Sequence, residues 1–256
     1  MNAQNKDHDP LILAVETATR AGGVALARGA KLLASQAGDA AVSHSTNLIE
    51  MIERVLGRGN TKLSDIDLFA VAVGPGSFTG LRIGLATVKA FAVHLGRQVT
   101  PVSTLAAVAH ASQVQGELVS LLPAGRGEVF AQHFSAADGE LTELDQAQHL
   151  SPRGVIEKYG AVARLIFGGE ARMAADSFGV PALAGTAAQG LPPKGGTPNR
   201  VELLEKPLAP AIAVLGYRKY REGKSIAPED LRAAYVRASD AEINERWQQL
   251  KAQPQG

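Results

Sequence analysis

The stretch GPGSFTGLRIG, residues 74–84, follows an apolar strand-like run and leads into an apolar, Ala-rich segment typical of a helix. Gly74 and Gly76 remove side chains that would block a close approach to the backbone, and Ser77 or Thr79 can cap the helix. Such a strand, turn and helix start present backbone N–H groups to an anion or to another chain. The pattern is neither a Walker loop nor the GxGxxG of dinucleotide folds, so it does not favour a generic phosphate loop.

The composition is that of a globular protein without a strong electrostatic bias. The 256 residues are 45% hydrophobic and 20% charged, and the formal net charge is +1. No global basic field therefore attracts nucleic acid. The chain has no cysteine, which excludes disulfides, thiolate metal sites and cysteine nucleophiles. We find neither a signal-peptide pattern nor an apolar run of membrane-spanning length, and we expect a soluble cytoplasmic protein.

Hydrophobic patterning predicts a regular order of elements in the first half of the chain. The predicted strands cover residues 11–16, 24–27, 31–35, 68–73 and 99–102, and the predicted helices cover 43–56, 79–95 and 104–112. The second half is less regular. It predicts strands at 118–122, 128–134 and 165–169, and a helix at 201–220 that Pro207 and Pro210 would break or kink near its start. Periodicity alone supports a mixed α/β fold.

The glycine-rich stretch resembles the signature of the bacterial TsaB (YeaZ) family, the dimerisation subunit of the tRNA threonylcarbamoyladenosine machinery. Its motif residues here are Gly74, Pro75, Gly76, Ser77, Phe78, Thr79, Gly80 and Arg82. Further matches occur in the expected order, namely LILAVETAT, SHSTNLIEMI, PVSTLAAVA, GRGEVF and AYVR. The resemblance extends from Leu11 to Arg237.

The resemblance implies an α/β fold of the actin, hexokinase and Hsp70-like (ASKHA) type. Two lobes are expected, each a mixed β-sheet with flanking helices. Residues 1–102 would form the N-terminal lobe, with the glycine motif and the interface helices. Residues 103–238 would form the C-terminal lobe, with a flexible loop near 186–199, and a helix at 239–251 would pack back on the first lobe.

The resemblance also implies a function. We expect a non-catalytic scaffold that binds a TsaD-type catalytic subunit and, with a TsaE-type ATPase, supports threonylcarbamoyl transfer to the tRNA adenosine beside the anticodon. The tRNA would be met through the complex, and neither a cofactor nor a membrane is expected. A stand-alone homodimer with a regulatory role is a further hypothesis.

An enzyme is the alternative from another class, namely a small kinase or ATPase of the same fold acting alone. Glu16 stands where kinase relatives carry the carboxylate of their first phosphate loop, and Gly74, Gly76 and Ser77 complete the candidate nucleotide site. The other interpretation makes Glu16 a strand-end carboxylate that binds the adjacent turn. The latter half lacks a second phosphate loop, which favours the turn interpretation because phosphoryl transfer needs several clamps acting together.

The sequence predicts neither a metal site nor a catalytic residue. The catalytic paralogue TsaD binds a metal through two histidines one helical turn apart, and here Thr104 and Val108 stand at those positions. Neither side chain suits a transition metal. The six histidines of the chain show no HxxxH spacing.

The helix predicted at residues 79–95 is apolar almost all round, which indicates a second burial partner. Gly80 and Gly84 lie four residues apart and are followed by Ala86, Ala90 and Phe91. Small residues let another helix approach closely, and a bulky neighbour then fills the seam. In the family that the chain resembles, this helix and the one at 43–56 form the interface. The expected interface residues are Leu48, Ile52, Gly80, Gly84 and Lys89, although both apolar faces could instead pack on the protein's own sheet.

Overall fold

The computed structural model describes residues 9–162, 164–169 and 200–236, and every structural statement below concerns these residues. The strands are β1 (Leu11–Glu16), β2 (Gly23–Arg28), β3 (Lys31–Ala37), β4 (Leu68–Gly74), β5 (Gln98–Ser103), β6 (Gly116–Gly125), β7 (Glu128–Ala137), β8 (Glu140–Glu143), β9 (Gln148–Leu150), β10 (Arg164–Phe167) and β11 (Arg200–Leu203). The helices are α1 (His44–Arg58), α2 (Phe78–Leu95), α3 (Thr104–Ser112), α4 (Pro152–Tyr159) and α5 (Ala209–Arg221). The predicted loop at 186–199, the helix at 239–251 and Arg237 lie outside the described residues.

The first sheet has the strand order β3-β2-β1-β4-β5. Its first three strands form an antiparallel meander, while β4 and β5 run parallel to β1. β1 and β4 are apolar along nearly their whole length and buried throughout, as expected for strands covered on both faces. The order of strands and helices predicted for this half of the chain is confirmed.

Helices cover both faces of the first sheet. Because side chains alternate along a strand, Leu11, Leu13 and Val15 of β1 face α1 and α2, whereas Ile12 and Ala14 face the other way. On that other face α3 and α5 form a core that the second sheet shares. The parallel strands β1 and β4 end at the same edge, so the turn after β1 meets the glycine motif there.

The second sheet has the order β11-β10-β6-β7-β8, with β9 paired to β7. Its arrangement repeats that of the first sheet, since a meander is followed by two strands parallel to its first strand. Asp145 ties α4 to this sheet by accepting hydrogen bonds from the backbone N–H of His133 at 2.8 Å and from the Tyr159 hydroxyl at 2.6 Å. Two lobes, each a mixed sheet with flanking helices, are confirmed.

The prediction of one helix over residues 201–220 is wrong. Its first residues form β11, which pairs with the buried strand β10, and the helix α5 begins only at Ala209. Pro210 lies in the first turn of α5, where a missing N–H does no harm. A strand of four residues depends on a partner that is distant in sequence, so local periodicity does not reveal it.

The position of α5 also differs from the predicted lobes. This helix belongs to the expected C-terminal lobe, yet it packs on β1, β2, β4 and β5 of the first sheet. The contact is close, because a Cβ atom on Gly216 would lie 2.5 Å from the Cβ of Ala70. A lobe boundary at residue 102 stays a prediction.

No helix in the described ranges is both long and apolar enough to cross a membrane.

Candidate functional site

The glycine motif forms the tight connection between β4 and α2. Ser77 is the N-cap of α2, and its hydroxyl accepts a hydrogen bond from the N–H of Gly80 at 3.2 Å. Gly74 has a φ of +114°, and a Cβ atom there would lie 2.8 Å from the carbonyl oxygen of Ala234. The peptide bond between Gly74 and Pro75 is cis. A glycine is therefore required at the end of β4 for both conformation and space.

The remaining glycines of the motif pack on the turn that follows β1. The N–H of Ser77 donates to the carbonyl oxygen of Ala18 at 2.7 Å, and a Cβ atom on Gly76 would lie 2.4 Å from that oxygen. Further along α2, a Cβ on Gly80 would lie 2.0 Å from the carbonyl oxygen of Thr17. At Gly84 the corresponding distance to Thr17 Oγ1 is 2.1 Å. The space that these glycines leave is thus occupied by the chain itself, by backbone beside Gly76 and Gly80 and by the Thr17 side chain beside Gly84.

Gly80 and Gly84 are both buried against Thr17, so their expected role in an interface stays a prediction that this packing does not favour. Leu48 and Ile52 are 1% and 2% exposed and belong to the core between α1 and the first sheet. Lys89 is half-buried, and its Nζ donates to the carbonyl oxygen of Glu229 at 3.2 Å. The four apolar or small positions do not form a free surface on this chain.

The outward side of α2 is a different set of residues. Ala86 and Ala90 are exposed, Val93 is 53% exposed, and Ile83 is half-buried. Their spacing of three and four residues places them on one face of the helix. On the neighbouring helix α1, Ile49 is 48% exposed. We call these five residues the outward face.

The stripe of small residues that the sequence predicts includes Ala86 and Ala90 of this set, whereas Ile49, Ile83 and Val93 are not among the expected interface residues. The recurrence of Ile83, Ala86, Ala90 and Val93 is a helical period, but so is that of the buried residues on the opposite side of α2. Only the position of the sheet tells which of the two apolar sides stays uncovered.

Glu16 is 1% exposed at the end of β1. Its Oε1 accepts from the N–H of Thr19 and its Oε2 from the Thr19 hydroxyl, each at 2.7 Å. Burial raises the pKa of the Glu16 carboxyl, and the bonds from Thr19 act in the opposite direction. The geometry matches the interpretation of Glu16 as a carboxylate that binds its adjacent turn.

His44, the first residue of α1, was not singled out from the sequence. It is 7% exposed, and its Nε2 lies 2.8 Å from the carbonyl oxygen of Thr19. Because a carbonyl oxygen only accepts, Nε2 carries the proton and donates. The SHST stretch contained a signal for this position. Ser43 is the N-cap of α1, so His44 lies in the first turn of the helix.

A cavity of about 650 Å³ opens beside the glycine motif. Its wall is formed by the motif itself, by residues 40–44, by the turn at 123–125 and by residues 234–236. At its rim the rings of Phe78 and Tyr235 lie 5.2 Å apart, and the Arg82 guanidinium lies 3.8 Å from the centre of the Phe78 ring. Arg20 also lines the cavity, and no carboxylate does so within the described part of the chain.

The positions that correspond to the metal-binding histidines of the paralogue are buried in α3. Thr104 and Val108 are each 0% exposed and pack in the core between the two sheets. Across residues 9–162, 164–169 and 200–236, no three His, Asp or Glu side chains come together as a metal site would require.

Comparison with known proteins identifies relatives for most of the chain. A family model described as TsaD, tRNA N6-adenosine threonylcarbamoyltransferase, matches residues 32–168. The tRNA threonylcarbamoyladenosine biosynthesis protein TsaB of Escherichia coli is 26% identical over 93% of this chain and 97% of its own length. The protein of the same name from Haemophilus influenzae is 29% identical over 57% of this chain, and the match spans 62% of that relative's length.

The solved structure of YeaZ from Pseudomonas aeruginosa superposes with a TM-score of 0.70 and 23% sequence identity. The superposition covers 88% of this chain and 99% of that one. This likeness shows that the two chains share one α/β fold, and the expected architecture of two mixed sheets with flanking helices is confirmed.

Proposed function

Since the chain belongs to the family described as TsaD, tRNA N6-adenosine threonylcarbamoyltransferase, and within it to the TsaB (YeaZ) family, we propose that it works in tRNA threonylcarbamoyladenosine biosynthesis as a non-catalytic scaffold. In this role it binds a TsaD-type catalytic subunit. The partner supplies the transfer chemistry, and this chain supplies a surface and a conformational state. The chain and its partner share a fold, so each can offer a similar pair of helices to the other.

The outward face carries this proposal. The inner side of α2 covers the first sheet, while Ala86, Ala90 and Val93 on its outer side remain exposed. Apolar residues repeated along three turns of an exposed helix are typical of a surface that another helix covers. Ile49 is an exposed apolar residue of α1, the helix that packs beside α2, which fits a partner that docks a pair of helices.

The contacts of the glycine motif weigh against the kinase or ATPase alternative. A phosphate-binding loop needs backbone N–H groups that a ligand can approach. Here Ala18 accepts the N–H of Ser77, and Thr17 fills the space beside Gly80. Glu16 is buried and accepts both of its short hydrogen bonds from Thr19, so it offers no exposed carboxylate for magnesium.

The wider partnership follows from the same role. A TsaE-type ATPase would join the assembly formed with the catalytic subunit, and tRNA would be bound through that assembly. When the catalytic subunit is absent, the outward face would be covered by a second copy of the chain in a homodimer. The role is expected to be exercised in the cytoplasm.

The test is size-exclusion chromatography with light scattering, on the chain alone and mixed with the TsaD-type subunit of the same organism. Val93→Asp places a charge in the outward face at a position that is 53% exposed, so we expect the fold to persist and the complex to be lost. Ile156→Asp is the matched control, because Ile156 is 50% exposed on α4 of the second sheet.

A one-to-one complex of the wild type and of Ile156→Asp, absent for Val93→Asp, is the expected result. Equal complex formation by both variants would refute the assignment of the outward face. Failure of the wild type to bind, together with ATP hydrolysis by the chain alone, would replace the scaffold proposal with the ATPase alternative.

A further inference from the structure

Residues Thr17, Ala18 and Thr19, here called the 17–19 turn, are held rigidly by a buried carboxylate. Glu16 accepts the backbone N–H and the hydroxyl of Thr19 at 2.7 Å each, and the hydroxyl oxygen of Thr19 in turn accepts the N–H of Gly22 at 3.3 Å. Glu16 and Thr19 are 1% and 8% exposed, so water does not compete for these bonds. Hydrogen bonds to a buried charged group are among the stronger ones in proteins.

The start of α1 is attached to one side of this turn. The Nε2–H of His44 donates to the carbonyl oxygen of Thr19 at 2.8 Å. The ring fits tightly, because a Cβ atom on Gly22 would lie 2.6 Å from its Cε1 and one on Gly80 would lie 3.2 Å from its Cδ2. His44 therefore fills the space between the turn and α2, and any shift of Thr19 is transmitted to the first turn of α1.

The start of α2 is attached to the other side of the turn. Ala18 accepts the N–H of Ser77 at 2.7 Å, and Thr17 occupies the groove beside Gly80 and Gly84. These contacts are mostly with backbone atoms, which cannot rotate away as a side chain can. The N-terminal halves of both helices are thus positioned by the same three residues.

From this geometry we infer that Thr19 is a positioning residue for partner binding, because its hydroxyl holds the 17–19 turn that sets the spacing of α1 and α2. The inference rests on the proposed function, since α1 and α2 carry the outward face. Thr19 itself is buried and does not touch the partner. Its effect is transmitted through His44 to α1 and through Thr17 and Ala18 to α2.

The experiment measures the affinity of the TsaD-type subunit for three variants and the wild type by titration calorimetry. Thr19→Val removes the hydroxyl but keeps the shape and both backbone groups, and Thr19→Ser restores the hydroxyl. We expect Thr19→Val to bind about tenfold more weakly, a coupling of ordinary size between separate sites, and Thr19→Ser to recover most of that loss. Val155→Ala in α4 is the control, since Val155 is fully buried against the second sheet and its truncation destabilises the fold away from α1 and α2.

If Thr19 affected binding only through the overall stability of the protein, Val155→Ala and Thr19→Val variants with equal melting temperatures would bind the TsaD-type subunit equally weakly. That result would contradict the inference. Equal affinity of Thr19→Val and the wild type would overturn the inference while leaving the scaffold proposal intact. Absence of wild-type binding would contradict both the inference about Thr19 and the scaffold proposal. If Thr19→Val does not fold, the pair His44→Leu and His44→Gln takes its place, because glutamine can still donate to the Thr19 carbonyl and leucine cannot. Identical affinities for that pair would again contradict the inference.

Discussion

Gly80→Ala tests why α2 carries small residues. They could be needed for packing against the chain's own 17–19 turn or for the approach of another chain. The new Cβ would lie 2.0 Å from the carbonyl oxygen of Thr17, whereas ordinary contacts begin near 3.4 Å. The obstacle is backbone, so α2 must move away from the turn by more than 1 Å. That movement also stretches the hydrogen bond from Ser77 to Ala18, which is 2.7 Å in the native chain.

The magnitude follows from three contributions. Overpacking a close contact costs about 1–3 kcal/mol, and weakening a buried hydrogen bond costs about 1 kcal/mol. Alanine in place of a helical glycine returns about 1 kcal/mol. The free energy of unfolding should therefore fall by about 2 kcal/mol, which lowers the melting temperature by roughly 4–8 °C for a chain of this size.

Urea denaturation followed by circular dichroism measures this change, and Gly57→Ala provides the control. Gly57 lies in α1 with nothing within 4 Å of its would-be Cβ, so alanine there should stabilise the protein by about 1 kcal/mol through helix propensity alone. If Gly80→Ala were as stable as Gly57→Ala and instead lost only its association with the catalytic subunit, the intrachain packing argument would be refuted.

Two further predictions concern the same turn. Gly84→Ala should destabilise the protein by about 1–3 kcal/mol because its Cβ would lie 2.1 Å from Thr17 Oγ1. Adding Thr17→Ala removes that oxygen and should recover most of the loss in a double-mutant cycle. Simple additivity of the two changes in unfolding free energy would contradict this contact. Burial raises the pKa of the Glu16 carboxyl above its ordinary value of 4.5, so the folded state holds this proton more tightly than the unfolded state. The stability that the protonated carboxyl contributes is therefore complete below pH 4.5 and is lost as the pH rises through the native pKa. The unfolding free energy of the wild type relative to Glu16→Gln should therefore fall with rising pH above 4.5, as measured by urea midpoints across that range, and a relative rise would show that the Thr19 hydrogen bonds outweigh burial.

Much of the first lobe could be predicted from local patterns. β1 and β4 are continuous apolar runs, and α1 repeats its buried residues at helical spacing, so short windows of sequence suffice to place them. The sequence limited the N-cap of α2 to Ser77 or Thr79, and the structure shows that Ser77 takes this position. The short strand β11 was misassigned because its stability comes from pairing with β10, more than thirty residues earlier in the chain.

At the candidate site, too, some features follow from local sequence and others from contacts between distant segments. Three features follow from local sequence: the family motif, the apolar character of α2 on all sides, and the small residues Gly80 and Gly84. The position of the end of β1 relative to β4 decides two things that these features do not. It sets which side of α2 meets the sheet, and it places Thr17 in the groove beside those glycines. Likewise, His44 lies 25 residues after Thr19 and meets it only because α1 returns across the end of β1. Contacts between distant segments depend on how the whole sheet is assembled, so they become known only when the folded chain is seen.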